Sequence, residues 1–116
     1  MRILPLALLL AASCASPPAV ELTEQEKTVL RPVPNPPDEV RGLVDKGDAL
    51  FLQAIPAQRS GDSVAALDFY SRARKAYLEA ETHYGGFVPI PSPLLDRVRE
   101  CVIRIAVLQK QRHSSP

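Results

Sequence analysis

Few residues of this 116-residue chain have a type and spacing that could support chemistry. The candidates are two histidines, His83 and His113, and two cysteines, Cys14 and Cys101. Neither histidine has another His or Cys at metal-ligand spacing, and the motifs HExxH and CxxC are absent. Cys101 falls on an apolar helical face, where a cysteine is usually a small inert hydrophobic residue. We therefore expect no catalytic residue, no metal site and no cofactor, and we do not expect an enzyme.

Cys14 differs from the other candidates because of the residues that precede it. The chain has a short positive start at Met1-Arg2, continues with an apolar run over residues 3–12 and reaches Cys14 through the small residue Ser13. A basic start, an apolar segment of about ten residues and a small-residue exit are typical of a secretory signal peptide. A membrane-spanning helix needs about twenty apolar residues. We therefore predict that residues 1–13 are a signal peptide.

The end of this segment resembles the lipobox of bacterial lipoproteins. The matching stretch is Ala11-Ala12-Ser13-Cys14, although the family prefers leucine where this chain has Ala11. The resemblance implies cleavage between Ser13 and Cys14, a diacylglycerol on the Cys14 thiol and a further acyl chain, such as palmitate, on the new amino terminus. Several acyl chains hold a protein firmly on a bilayer, whereas one chain holds it only marginally.

The location that follows from this resemblance is the bacterial cell envelope. Ala15, and not aspartate, follows Cys14. In lipoproteins of bacteria with two membranes, this usually goes with sorting to the periplasmic face of the outer membrane. The alternative is cleavage after Ala15, which would release a soluble periplasmic protein.

Composition limits the classes of partner. Fourteen basic residues include Arg2 of the signal segment, so thirteen remain against thirteen acidic residues. A balanced charge makes nucleic acid a poor partner. Once Cys14 carries lipid, Cys101 has no intramolecular partner, which excludes a disulfide framework. No small-molecule substrate is evident from the motifs.

A proline-rich segment separates Cys14 from the rest of the chain. Residues 16–37 contain half of the twelve prolines, and prolines bias a chain toward an extended, stiff path. Residues 22–30 could form one or two helical turns that are marginal alone. We therefore interpret residues 14–37 as a lipidated amino terminus and a tether.

The sequence after residue 37 predicts an all-α domain of three helices over residues 38–112, followed by a disordered tail at 113–116. Apolar residues recur at spacings of three and four over about 38–55, 62–84 and 93–110. The breakers are Pro56, then Gly61, then Gly85-Gly86. The first helix has Val40, Leu43, Val44, Gly47, Leu50, Phe51, Ala54 and Ile55 on its buried face; the second has Ala66, Tyr70, Ala73, Tyr77, Ala80 and Tyr84; the third has Leu94, Leu95, Val98, Cys101, Val102, Ile105 and Leu108.

The stretch 61–77 is similar to the second half of a tetratricopeptide repeat. The matching residues are Gly61-Asp62 at the turn, then Ala66, Tyr70 and Ala73, with Leu50 and Ala54 at the family's spacing on the preceding helix. The chain departs from the family pattern in two places, since it has Ala57 where a large residue is usual and Leu78 where a proline is usual. The resemblance covers about one repeat, and a lone repeat needs a capping helix. The alternative is a generic three-helix bundle.

These features favour protein binding. We expect a membrane-anchored helical adaptor or assembly factor with an envelope protein as partner, similar in layout to pilotins. The alternatives are a soluble periplasmic accessory subunit or small enzyme, and a spacer lipoprotein without a ligand. The carboxylates of helices one and two, Asp45, Asp48, Glu79 and Glu81, are interpreted as solvated. The candidate docking residues are Phe87, Val88 and Ile90 in the loop after the second helix, and the basic group Arg72, Arg74 and Lys75.

Overall fold

The computed structural model describes residues 20–86 and 88–114. Within those ranges the chain is helical and has no strand, so the predicted all-α class is confirmed. The elements are α1 (Glu24–Val29), α2 (Asp38–Arg59), α3 (Ser63–Glu81), a short 3₁₀ turn (Thr82–Tyr84) and α4 (Ser92–Ser114). The helices α2 and α3 form a hairpin, and α4 packs on α3 as a third helix.

The α2–α3 hairpin is built on the alternation of small and large residues that the sequence predicts. Along α3 the residues Ala66, Tyr70, Ala73, Tyr77 and Ala80 are completely buried, and Tyr84 is half-buried. The alanines allow close approach of the neighbouring helix, and the tyrosine rings fill the spaces between them. At one such contact, Gly47 of α2 packs directly against the ring of Tyr77.

The helix boundaries differ from the predicted ones. The prediction ended the first helix at Ile55, but α2 continues through Pro56 to Arg59. A proline lacks an N–H and therefore removes one helical hydrogen bond. The last turn persists because the carbonyl of Pro56 accepts a bond from the amide of Ser60 at 3.0 Å.

The other two predicted helices are also corrected at their ends. The second was predicted over 62–84, but Asp62 caps α3 by accepting from the amide of Ala65. The last turn of that range is 3₁₀ rather than α-helical, and Gly85 follows it with a φ of 71°. The third was predicted over 93–110, but α4 spans Ser92–Ser114 and takes in part of the predicted tail.

The predicted tether differs most from the structure. Residues 24–29 form α1, which begins with a capping box in which Thr23 and Glu26 bond to each other's backbone amides. The helix packs on α4, and Val29 and Val33 join the hydrophobic core. Residues 20–37 therefore belong to the folded domain, because buried contacts outweigh the extended preference of the prolines.

One face of α4 also differs from prediction. Leu95 and Val102 were assigned to the buried face but are exposed. The helix contacts α3 and α1 on one side, and no described residue covers the other side. None of the described helices is long and apolar enough to cross a bilayer.

Candidate functional site: two buried arginine clusters and two open surfaces

The predicted lipidation site and part of the predicted docking loop cannot be placed. Ser13, Cys14 and Phe87 lie outside the described residues. The site is therefore built from the folded domain, where the polar groups with the most unusual surroundings are two arginines of α4.

Arg97 is 2% exposed and uses all five of its N–H donors. Its Nε and Nη2 form a bidentate pair with Asp48 of α2 at 2.9 and 3.2 Å. Its remaining donors bond to the carbonyls of Leu30 at 3.0 Å, Arg31 at 2.9 Å and Pro93 at 3.1 Å. We call these groups, with Tyr77, the Arg97 cluster.

Asp48 is held from a second side by Tyr77, whose hydroxyl donates to the same carboxylate. Burial is the main cause that raises the pKa of Tyr77 above its ordinary value, and the Asp48 charge adds to it. The interpretation of Asp48 as a solvated carboxylate was therefore wrong. Its chain spacing could not reveal a partner that lies 49 residues away.

Arg104 centres the second group, the Arg104 cluster. It donates to Glu100 at 2.8 Å and to Glu26 of α1 at 2.9 Å. It also donates to Gln58 and Tyr70, and its guanidinium lies over the rings of Phe51 and Tyr70. Burial alone would lower the pKa of Arg104, but the hydrogen bonds that its guanidinium donates to Glu100 and Tyr70 raise it instead. The side chain is therefore a permanent cation that joins α1 and α4 to the hairpin.

Both clusters join separate elements of the fold. Every ionised group in them is paired, and the clusters tie the segment 23–31 to α2 and α4. The sequence does hold a signal for them, although it was missed. Arg97 and Arg104 continue the three-and-four spacing of Leu94, Cys101 and Leu108, so the two charges lie on the buried stripe of α4.

The surroundings of the Glu26 carboxylate lead to a prediction of how the free energy of unfolding depends on pH. Burial disfavours the charge, but the amide of Thr23 and the guanidinium groups of Arg104 and Arg59 outweigh it and lower the pKa of Glu26 from 4.5. Because the pKa of Glu26 is lower in the folded chain than in the unfolded chain, the ionised carboxylate stabilises the fold above pH 4.5. This stabilisation is lost as the pH falls through the pKa that Glu26 has in the folded chain. The free energy of unfolding should therefore fall in acid.

The substitution Glu26→Gln should remove this contribution. It should lower the free energy of unfolding by about 1–3 kcal/mol at neutral pH and flatten its acid dependence. Urea unfolding at a series of pH values measures both effects. Glu24→Gln, on the same helix but exposed, is the control and should stay within about 0.5 kcal/mol. Equal pH profiles for the natural chain and Glu26→Gln would contradict the assignment.

A groove between α2 and α3 brings together part of the predicted basic group. It has a volume of about 240 Å³ and we call it the basic groove. Of the predicted basic group, Arg72 and Lys75 line this groove, whereas Arg74 does not. Its lining residues are Lys46, Leu50, Arg72, Lys75, Ala76 and Glu79.

The uncovered side of α4 is the second open surface, which we call the α4 apolar face. Leu95, Val102, Ile103 and Val107 are between 41% and 48% exposed. A groove of about 440 Å³ between α1 and α4 borders this face at Ile103. These four apolar side chains share the open side of α4 with the exposed Arg99, and exposed apolar side chains bordered by polar ones are typical of an interaction surface.

The remaining predicted residues are placed as follows. Val88 is exposed, whereas Ile90 packs partly against the core. Cys101 is buried, and burial, with the charge of Glu100, raises the pKa of its thiol to about 12. In the described part of the chain, no three His, Cys, Asp or Glu residues lie close enough together to hold a metal ion.

Comparison with family models, with curated proteins and with solved structures finds no match for this chain.

Proposed function

We propose that the protein is a lipid-anchored helical adaptor of the bacterial cell envelope, held by Cys14 at the periplasmic face of the outer membrane. In this proposal the helical domain docks a partner protein, as a pilotin-like carrier or a subunit of an envelope complex. The observation that carries the proposal is the α4 apolar face.

The α4 apolar face suits a partner helix. Its four side chains lie on the open side of α4 between Leu95 and Val107, a distance of twelve residue steps or about 18 Å at 1.5 Å per residue. An apolar row of this length fits a partner helix laid along it. Covering such side chains is favourable by about 25 cal/mol per Å² of apolar surface removed from water.

The amino-terminal sequence supports the anchor. The basic start, the short apolar segment and the small residues before Cys14 are the features that lipid-modified signal peptides share. Cys101, the other cysteine, is buried with a raised thiol pKa. Cys14 is therefore the cysteine to which a covalent lipid is assigned.

The first experiment measures the intact mass of the protein purified from membranes of a bacterial host, beside a Cys14→Ala version. The proposal expects a chain that starts at Cys14 and carries acyl mass that the substitution abolishes. A chain that starts at Ser16 without added mass would make the protein a soluble periplasmic one.

The second experiment tests docking through the α4 apolar face. A photo-crosslinking amino acid is placed at Ile103, with Lys75 in the basic groove and the exposed Gln53 of α2 as comparison sites. We expect a discrete adduct from position 103 in intact cells, and its loss when Val102→Lys is added. An adduct from position 75 alone would move docking to the basic groove.

Two results would contradict the adaptor. An adduct of twice the chain mass from position 103 would show that the α4 apolar face joins two copies of the chain. The same weak adducts from all three positions would indicate a spacer lipoprotein without a partner.

A further inference from the structure

The first described residues lie at the end of the helical domain where α2 finishes. Val20 and Leu22 pack against the core, and Arg59, at the carboxyl end of α2, donates to the carbonyl of Glu21. Because α1 and residues 30–31 are held by the Arg104 and Arg97 clusters, the path from residue 20 to α2 is fixed within the fold.

The same end of the domain carries the turn between α2 and α3 and the last turns of α4. Arg104 bonds to Gln58, near the end of α2, and Arg97 bonds to Asp48, so α4 runs in the same direction as α2. From Arg104, α4 continues for nine residues to His113, or about 14 Å. It therefore projects beyond the end of α2.

The side chains at this end include one exposed apolar group and two arginines. Val64, in the first turn of α3, is 66% exposed, the highest value among the large apolar residues that the structure describes. Arg59, in the last turn of α2, and Arg112 and His113, in the last turn of α4, are also exposed at this end. Glu21 and Asp62 also lie at this end. Because their negative charges offset those of the basic residues, the net charge of this end would attract an anionic surface only weakly. We call this surface the entry end.

The length of the remaining chain limits how far this end can lie from a lipid on Cys14. Six residue steps join Cys14 to Val20, and a fully extended chain spans at most about 3.5 Å per residue, or roughly 20 Å here. A free tether as far as Pro37 would span roughly 80 Å by the same rule. The helix α2 alone is about 33 Å long.

We infer that the entry end, with Val64, Arg59 and Arg112, is the membrane-facing surface of the domain and contacts the lipid headgroup layer. The inference depends on the proposed lipid anchor at Cys14. The short linker keeps this surface beside the bilayer, where Val64 inserts among the headgroups and Arg112 lies near lipid phosphates. Arg59 stays paired with Glu26 and holds the start of the described chain at this end. The loop that carries Val88, at the opposite end of α3, then points away from the membrane.

The test compares Val64→Cys with Val88→Cys, two exposed valines at opposite ends of α3. Each lipidated variant is purified from host membranes, labelled with an environment-sensitive fluorophore and placed in vesicles of phosphatidylethanolamine and phosphatidylglycerol that contain a nitroxide lipid. We expect quenching at position 64 to exceed quenching at position 88 by about twofold or more. The natural chain is the labelling control, because Cys101 is buried.

A third variant lengthens the linker with a flexible Gly-Ser insertion between Ala19 and Val20. It should reduce the difference between the two positions while leaving the circular dichroism unchanged. A difference that survives the insertion would show that the entry end stays at the headgroup layer through its own side chains, which also supports the inference. Equal quenching at both positions in acylated protein would overturn the inference and leave the anchor in place. Loss of acyl mass on Cys14 would instead overturn the proposed function, and this inference with it.

Discussion

Replacing Arg97 with leucine is expected to lower the free energy of unfolding by about 3–5 kcal/mol, the usual effect of removing one partner of a buried ion pair. The substitution leaves the Asp48 carboxylate without its guanidinium. It also removes the donors to three backbone carbonyls, two of which belong to the segment after α1. Urea unfolding followed by far-ultraviolet circular dichroism measures the loss.

Arg99→Leu is the matched control, since it makes the same change two residues along α4. Arg99 is exposed and lies 3.7 Å from Asp96, and exposed pairs of this kind contribute about 0–1 kcal/mol. The double substitution Arg97→Met with Asp48→Leu should lose less stability than Arg97→Leu, because no charge is then left unpaired. Equal losses for Arg97→Leu and Arg99→Leu would show that the Arg97 cluster does not hold the fold.

The hairpin could be predicted from the sequence because its signal is local. Ala66, Tyr70, Ala73, Tyr77 and Ala80 recur within one helix, and the spacing alone places them on one side. All five are buried in the structure. The glycines at 61 and 85 likewise have positive φ, which fits their predicted roles at helix ends.

The docking of residues 20–37 could not be predicted because its determinants are distant in the chain. Glu26 pairs with Arg104, 78 residues away, and Arg31 with Asp96, 65 residues away. The local composition of residues 20–37 favours an extended path because of its prolines. The side chains that hold this segment belong to α2 and α4, and they come together only when those helices have packed.

The two candidate surfaces also differ in how far they could be predicted from the sequence. The clustering of Arg72 and Lys75 was visible in the sequence, and the structure places both in the basic groove. The spacing of α4, by contrast, did not tell which side of the helix is covered. Arg97 and Arg104 define that side, and they leave Val102 and Ile103 exposed.

Gly47→Ala is the second substitution with a large expected effect. Helix propensity alone favours alanine over glycine by about 1 kcal/mol in a helix interior. At this position, however, an added Cβ would lie 2.4 Å from Cε1 of Tyr77. The ring cannot move away easily, because it is completely buried and its hydroxyl is bonded to Asp48. Overpacking should prevail and cost about 1–3 kcal/mol.

Gly42→Ala separates the two effects, because it changes the same residue type one and a half turns earlier in α2. An added Cβ at Gly42 meets nothing within 4 Å, so this variant should gain about 0.5–1 kcal/mol. The opposite signs are the prediction, and urea unfolding of both variants measures them. A gain at both positions would mean that Tyr77 can shift, and the Arg97 cluster would then tolerate movement of the tyrosine that helps to hold Asp48.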